Sequence, residues 1–208
     1  PRWNARTEIN DLTRRQVEKL VDDAAGAPEA SNAHKVANFR AAYLDEATIE
    51  MEGVTPLAPT LGRINAIGDR AALTRFLGSA LRADVDPLNL GIYDSAYLLG
   101  LSVEPGLHGE AHNVALLTQG GLGLGDRDLY LSTAPDNQSL RTRYERYIGR
   151  ILALAGFDQA EQRAARVMAL EVAIARTHAT SAASADEGNA SNLWTRADFA
   201  RQAPGMDW

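Results

Sequence analysis

Apolar positions recur at helical spacing over most of the chain. Ile9, Leu12, Val17, Leu20 and Val21 fall roughly on one face of a first helix, with Asp22 and Asp23 at its far end. Ala24 to Ser31, rich in Ala with Gly and Pro, reads as a loop. Val36, Phe39, Tyr43 and Ala47 are spaced 3, 4 and 4, which predicts a buried helical stripe, and Gly53 ends that helix. Pro56 suits the first turn of the next helix, continued by Leu57, Leu61 and Ile64. Asp69 stands where an N-cap belongs, before a helix carrying Leu73, Phe76, Leu77 and Leu81.

The period changes in the middle of the chain. Leu88, Leu90 and Ile92 alternate with polar or small residues, as in a half-buried strand. Tyr97 to Val103 and Asn113 to Thr118 are short apolar runs around the turn-forming stretch Glu104 to His112. That combination predicts a β-hairpin with a long loop. Beyond it, Leu140, Tyr144, Tyr147, Ile151 and Leu154 are spaced 4, 3, 4 and 3, the cleanest amphipathic helix in the chain, with Tyr144 and Tyr147 expected in the core. Gly156 terminates it. Val167, Leu170 and Ile174 mark another long helix from about Asp158 to His178. Thr180 to Asn192 has no apolar period and reads as a loop, and a last short helix begins near Thr195. The expectation is a mainly α fold: a multi-helix domain with a small β-hairpin. Its layout is helical over 1–85, hairpin and glycine-rich turn over 86–131, and helical over 132–208.

Composition narrows the function classes. The 208 residues are 45% hydrophobic, enough for a real core, and the net charge is −6. No basic stripe is present for nucleic-acid phosphates, so a nucleic-acid partner is not expected. The absence of cysteine excludes disulfides, thiolate catalysis and Cys-based zinc sites. No apolar run reaches the ~18 residues of a membrane span. Pro1-Arg-Trp-Asn4 is neither an initiator methionine nor a signal peptide, and the chain reads as cut from something longer.

The four histidines decide the catalytic question. A zincin helix needs His-Glu-x-x-His, which aims two imidazoles at the metal from one helical face and supplies Glu as general base. His34, His108, His112 and His178 are followed by Lys35, Gly109, Asn113 and Ala179, so the motif is missing. His108 to His112 has the right spacing, but Glu110 is one place late and Gly106 and Gly109 oppose a helix; a solvated hairpin loop is the better reading. The glycines at 120, 121, 123 and 125 do not fit G-x-G-x-x-G, and no G-K-[ST] follows, so a structural turn is favoured over a phosphate cradle. Asp126-Arg-Asp128 reads as an ion-pair knot or the acidic first turn of a helix. Two Asn-x-Ser triplets, at Asn137 and Asn189, receive no role.

Gln119-Gly-Gly-Leu-Gly-Leu-Gly-Asp-Arg-Asp-Leu-Tyr-Leu131 resembles the Q-G-G-L-G-L-P-D-R-D-Y-Y-L run in the non-catalytic N-terminal region of neprilysin and endothelin-converting-enzyme-type zinc metallopeptidases. Further stretches resemble the same family in the same order. They are Lys35 to Glu50, Gly53 to Ile64, Tyr144 to Gly156, Glu171 to Ala175, Leu193 to Phe199, and Pro204 to Trp208. The resemblance covers nearly the whole chain and identifies a bacterial member.

The resemblance implies a fold that is part of a two-lobed metallopeptidase. The other lobe carries the zinc, and this segment caps the active-site cavity and restricts substrate size. It also implies that the full-length protein is a zinc metalloendopeptidase acting on peptides and small proteins. This segment, lacking the zinc helix, is expected to be inactive alone and to bind no zinc; its partners are peptide substrates and the C-terminal catalytic domain. Arg2 aligns with the first of two family arginines that hold a substrate carboxylate. Asn10 stands where the second would be, so Arg2 is either half of that site or an exposed terminal residue. The bacterial envelope, periplasmic or exported, is the expected compartment, with the cytoplasm as alternative. Two other readings compete: a free-standing helical peptide-binding module or pseudo-enzyme, and an unrelated metal enzyme using His108 and His112.

Overall fold

The computed structural model describes residues 4–81, 97–106, 109–186, 188, 192–206 and 208. The described chain is mostly helical with one two-stranded antiparallel hairpin. It divides into two compact units, residues 1–59 and 60–208.

In the first unit, α1 (Ala5–Asp23) is capped by the Asn4 side chain, which accepts from the Thr7 N–H at 2.8 Å. A single 3-10 turn follows over Ala24–Gly26. α2 (Asn32–Tyr43) is capped by Ser31. Arg40 on α2 pairs with Asp22 on α1 at 2.7 Å. The helix expected to run on to Gly53 breaks instead at Leu44 and Asp45, and α3 (Glu46–Glu52) starts afresh. The cause is local. The Asp45 carboxylate accepts from both the N–H and the hydroxyl of Thr48, at 3.1 and 2.7 Å, which satisfies a new helix start rather than a continuing one. Those same bonds hold the Asp45 carboxyl below its usual range. Gly53, at φ +53°, ends α3.

The expected buried stripe in this unit is corrected. Phe39 and Tyr43 are 75% and 72% exposed, and Ala47 belongs to a different helix. Among the described residues of the unit, Ala24 alone is buried. The period placed these side chains along one line of the helix, but among the described residues of the unit no second apolar face buries them.

α4 (Ala58–Asn65) begins at the boundary between units. α5 (Arg70–Ala80) is capped by Asp69, which accepts from the Ala72 N–H at 2.7 Å. The proposed strand at Leu88 to Ile92 lies outside the described residues. β1 (Leu99–Pro105) and β2 (Asn113–Gln119) pair antiparallel with Leu101 opposite Leu117 and Val103 opposite Ala115. After the glycine-rich turn come α6 (Arg127–Leu131), α7 (Pro135–Leu154) and α8 (Ala160–Thr177). The core of the second unit lies here, with Tyr130, Met168 and Ala175 buried and Leu122, Leu124, Leu131, Tyr144 and Val172 packed around them.

Two smaller corrections belong to this unit. Tyr147, expected in the core, is 59% exposed, because α7 turns the face with Tyr144 and buried Gly149 toward α8. Inside the expected loop after Thr180, one helical turn forms as α9 (Ser181–Ser184), started by the Thr180 hydroxyl. The last helix, α10 (Arg196–Gln202), carries a capping box between Thr195 and Asp198.

Candidate functional site

The glycine-rich run converges on one carboxylate. Glu171 stands on the α8 stripe that buries Ala164, Met168 and Ala175, spaced 4, 3 and 4, so the helix itself aims an acid into the core. Its Oε2 accepts from the Tyr130 hydroxyl at 2.5 Å and from the Gly123 N–H at 3.3 Å. Its Oε1 accepts from the Tyr144 hydroxyl at 3.1 Å. The Tyr130 oxygen in turn accepts from the Leu124 N–H at 2.8 Å. One side chain on α8 therefore ties together the turn, α6 and α7.

Gly123 is required by close approach. A Cβ there would lie 1.9 Å from the Tyr144 hydroxyl oxygen. Gly121 is required by conformation, at φ +83° with the Leu98 backbone 3.2 Å from the Cβ position. The upstream end of the run is fastened to the end of α8. The Gln119 side chain accepts from the Ala179 N–H at 2.9 Å, and the His178 ring nitrogen Nε2 donates to the Gly120 carbonyl at 3.0 Å. At the downstream end, Asp126 caps α6 by accepting from the Asp128 N–H, and Arg127 pairs with Asp128, both at 2.8 Å. Arg141 on α7 donates to the Leu129 carbonyl at 2.7 Å.

The chemistry of this clamp is structural. Burial first, and then the Glu171 carboxylate, push both phenols up: Tyr144 to about 12, and Tyr130 upward in the same sense. Both stay protonated at neutral pH and serve as donors rather than bases. A second feature of this unit is an apolar hollow of about 170 Å³ between α5, β1 and the last residues, lined by Leu77, Leu81, Leu98, Met206 and Trp208. Its polar lining atoms are spent. The Thr74 hydroxyl donates to the Arg70 carbonyl and Trp208 Nε1 to the Ala203 carbonyl.

Zinc, which the resemblance implies for the full-length protein, does not fit the residues described. No three His, Cys, Asp or Glu side chains among them gather as a metal site. His34 Nδ1 lies 3.3 Å from the Ala27 carbonyl, and His178 is spent on Gly120. His108 and Arg2 lie outside the described residues, so the two-histidine reading and the carboxylate-binding role of Arg2 find no geometry here.

Comparison with known proteins gives the frame for this clamp. The sequence model for the N-terminal part of peptidase family M13 matches residues 1–208. The chain belongs to peptidase family M13. Within that family it resembles endothelin-converting enzyme-like 1 of Homo sapiens and of Mus musculus, each 27% identical over 170 residues, which is 80% of this chain and 22% of the relative. Among solved structures it is similar to the zinc metalloprotease Zmp1 of Mycobacterium tuberculosis. The open state matches with a TM-score of 0.78 and 26% identity, covering 97% of this chain and 30% of that one. The inhibitor complex matches with a TM-score of 0.78 and 27% identity, covering 95% and 29%. The chain thus spans under a third of the length of these relatives and corresponds to the N-terminal region of an M13 protein.

The role of Glu171 escaped the motif reading, which placed it only at the start of the family-like stretch Glu171 to Ala175. The signal was present, since one acid interrupts an otherwise small and apolar helical stripe.

Proposed function

We propose that this M13 segment works as part of a zinc metalloendopeptidase of peptides and small proteins, where it caps the active-site cavity and limits substrate size. The observation that carries the reading is the family match over all 208 residues, joined to a relative named as a zinc metalloprotease of which the chain covers 30%. Side-chain exposure supports it. Ile9, Leu20, Phe39, Tyr43, Met51 and Leu57 all stand more than half exposed in the first unit, as expected of surfaces that a further part of the polypeptide covers. In this reading the Glu171 clamp contributes rigidity to the cap, and the zinc chemistry is supplied by the C-terminal catalytic domain.

The test is hydrolysis of quenched peptides of increasing length by the 208-residue chain and by the full-length polypeptide. The expected result is chelator-sensitive cleavage by the full-length polypeptide only, with rates falling as substrates lengthen or fold. Zinc-dependent cleavage by the 208-residue chain itself overturns the reading. Equal rates on short peptides and folded proteins would remove the size restriction while keeping the peptidase. Peptide binding without cleavage by a native species of 208 residues would favour the free-standing module.

A further inference from the structure

The face of α7 turned away from α8 carries a second pattern. Arg143, Tyr147 and Ile151 form one ridge at four-residue spacing, and Arg146, Arg150 and Leu154 form the next. All six are exposed, Tyr147 by 59% and Leu154 by 69%. Among the described residues, none pairs with the guanidinium groups of Arg143, Arg146 or Arg150. Three such cations on one face of a chain with net charge −6 are a local reversal of sign. Two parallel ridges, each about 12 Å long at 1.5 Å per residue, leave a groove shaped for the side chains of another helix.

We propose that this face of α7 docks an acidic amphipathic helix contributed by the part of the full-length polypeptide outside residues 1–208. This rests on the reading of the chain as one part of a longer M13 peptidase, of whose solved relative it covers 30%. The partner helix carries carboxylates three, four or seven residues apart, facing Arg143, Arg146 and Arg150. Its apolar side chains lie between them and continue over Tyr147, Ile151 and Leu154. A second copy of α7 is a poor occupant, because an antiparallel two-fold pairing would set Arg146 against Arg150. An extended peptide is a poor one too, since its side chains alternate between two faces while these ridges present one.

The test is a photo-crosslinking residue in place of Tyr147 in the full-length polypeptide, with the linked peptide mapped by mass spectrometry. The expected product is an intramolecular link to one segment outside residues 1–208 bearing at least two Asp or Glu at helical spacing. Arg146→Glu together with Arg150→Glu should lower its yield several-fold. A link confined to residues 1–208, a link to a second copy, a link to a segment without carboxylates, or no link at all overturns the proposal. If the double variant fails to fold, the map from position 147 alone still decides. Peptide hydrolysis measured on the same sample separates the two readings. Hydrolysis without the link leaves the peptidase standing and removes the docking face, and the link without hydrolysis does the reverse.

Discussion

Helices α2 and α7 both carry an aromatic stripe at helical spacing, and the two stripes meet different fates. On α2, Phe39 and Tyr43 remain largely exposed and stack on each other, ring centres 6.4 Å apart. On α7, Tyr144 is drawn inward by a carboxylate 27 residues further along, in contact with a turn 21 residues earlier in the chain. The period of a stripe says which face is apolar, and whether that face is buried depends on what stands opposite. In the second unit the answer is α8 with Glu171. For α1 to α3 the described residues supply little beyond Ala24.

The largest effect should come from removing the carboxylate. Glu171→Leu leaves two phenols and the Gly123 N–H without their acceptor, and should cost about 3 kcal/mol in urea unfolding, at the upper end for buried donors left unpaired. Glu171→Gln keeps an oxygen for Tyr130 and should cost only about 1 kcal/mol. Equal losses for both would mean that shape rather than hydrogen bonding holds the turn.

Gly123→Ala should follow, at about 2 kcal/mol, because its methyl group displaces the Tyr144 hydroxyl from Glu171. Combined with Tyr144→Phe, which removes the atom in the way, the cost should shrink below the sum of the two single changes. Additive costs would show that the close approach is not the cause.

A titration sharpens the contrast between the two regions. The folded state raises Tyr144 to about 12 and Tyr130 in the same direction, whereas unfolded tyrosines ionise near 10. The unfolded chain therefore releases these protons first, so the stabilisation is complete below about pH 10 and is lost as pH climbs toward the folded values. Ultraviolet absorbance should show Tyr130 and Tyr144 ionising last, together with loss of structure. Their early ionisation in a still folded protein would contradict the clamp.

The smallest effect is expected at the exposed stripe. Phe39→Ala should change the stability of the 208-residue chain by no more than about 0.5 kcal/mol, as for other surface positions. A loss of core size, measured in the same unfolding assay, would show that α2 is covered after all.

Much of the local structure was legible in the residues. Asp69 and Thr195 start helices as their side chains predict, Gly53 and Gly156 end them at positive φ, and the two apolar runs around Glu104 to His112 pair as a hairpin. The reading of the glycine run as a structural turn agrees with its geometry. What stayed hidden was non-local or competitive. The outward orientation of Tyr147 depends on which α7 face Gly149 leaves open to α8. The break at Asp45 depends on two hydrogen bonds to Thr48 winning over one more helical turn. The clamp depends on residues 41 and 48 positions apart meeting at one carboxylate.

Amide hydrogen exchange, read helix by helix on the 208-residue chain and on the full-length polypeptide, tests the central claim most directly. The account predicts slow exchange in α7, α8 and the turn in both proteins, and protection of α1 to α3 that rises strongly only in the full-length polypeptide. Equal protection of α1 to α3 in the two would contradict it, because the apolar face of the first unit would then need no further covering.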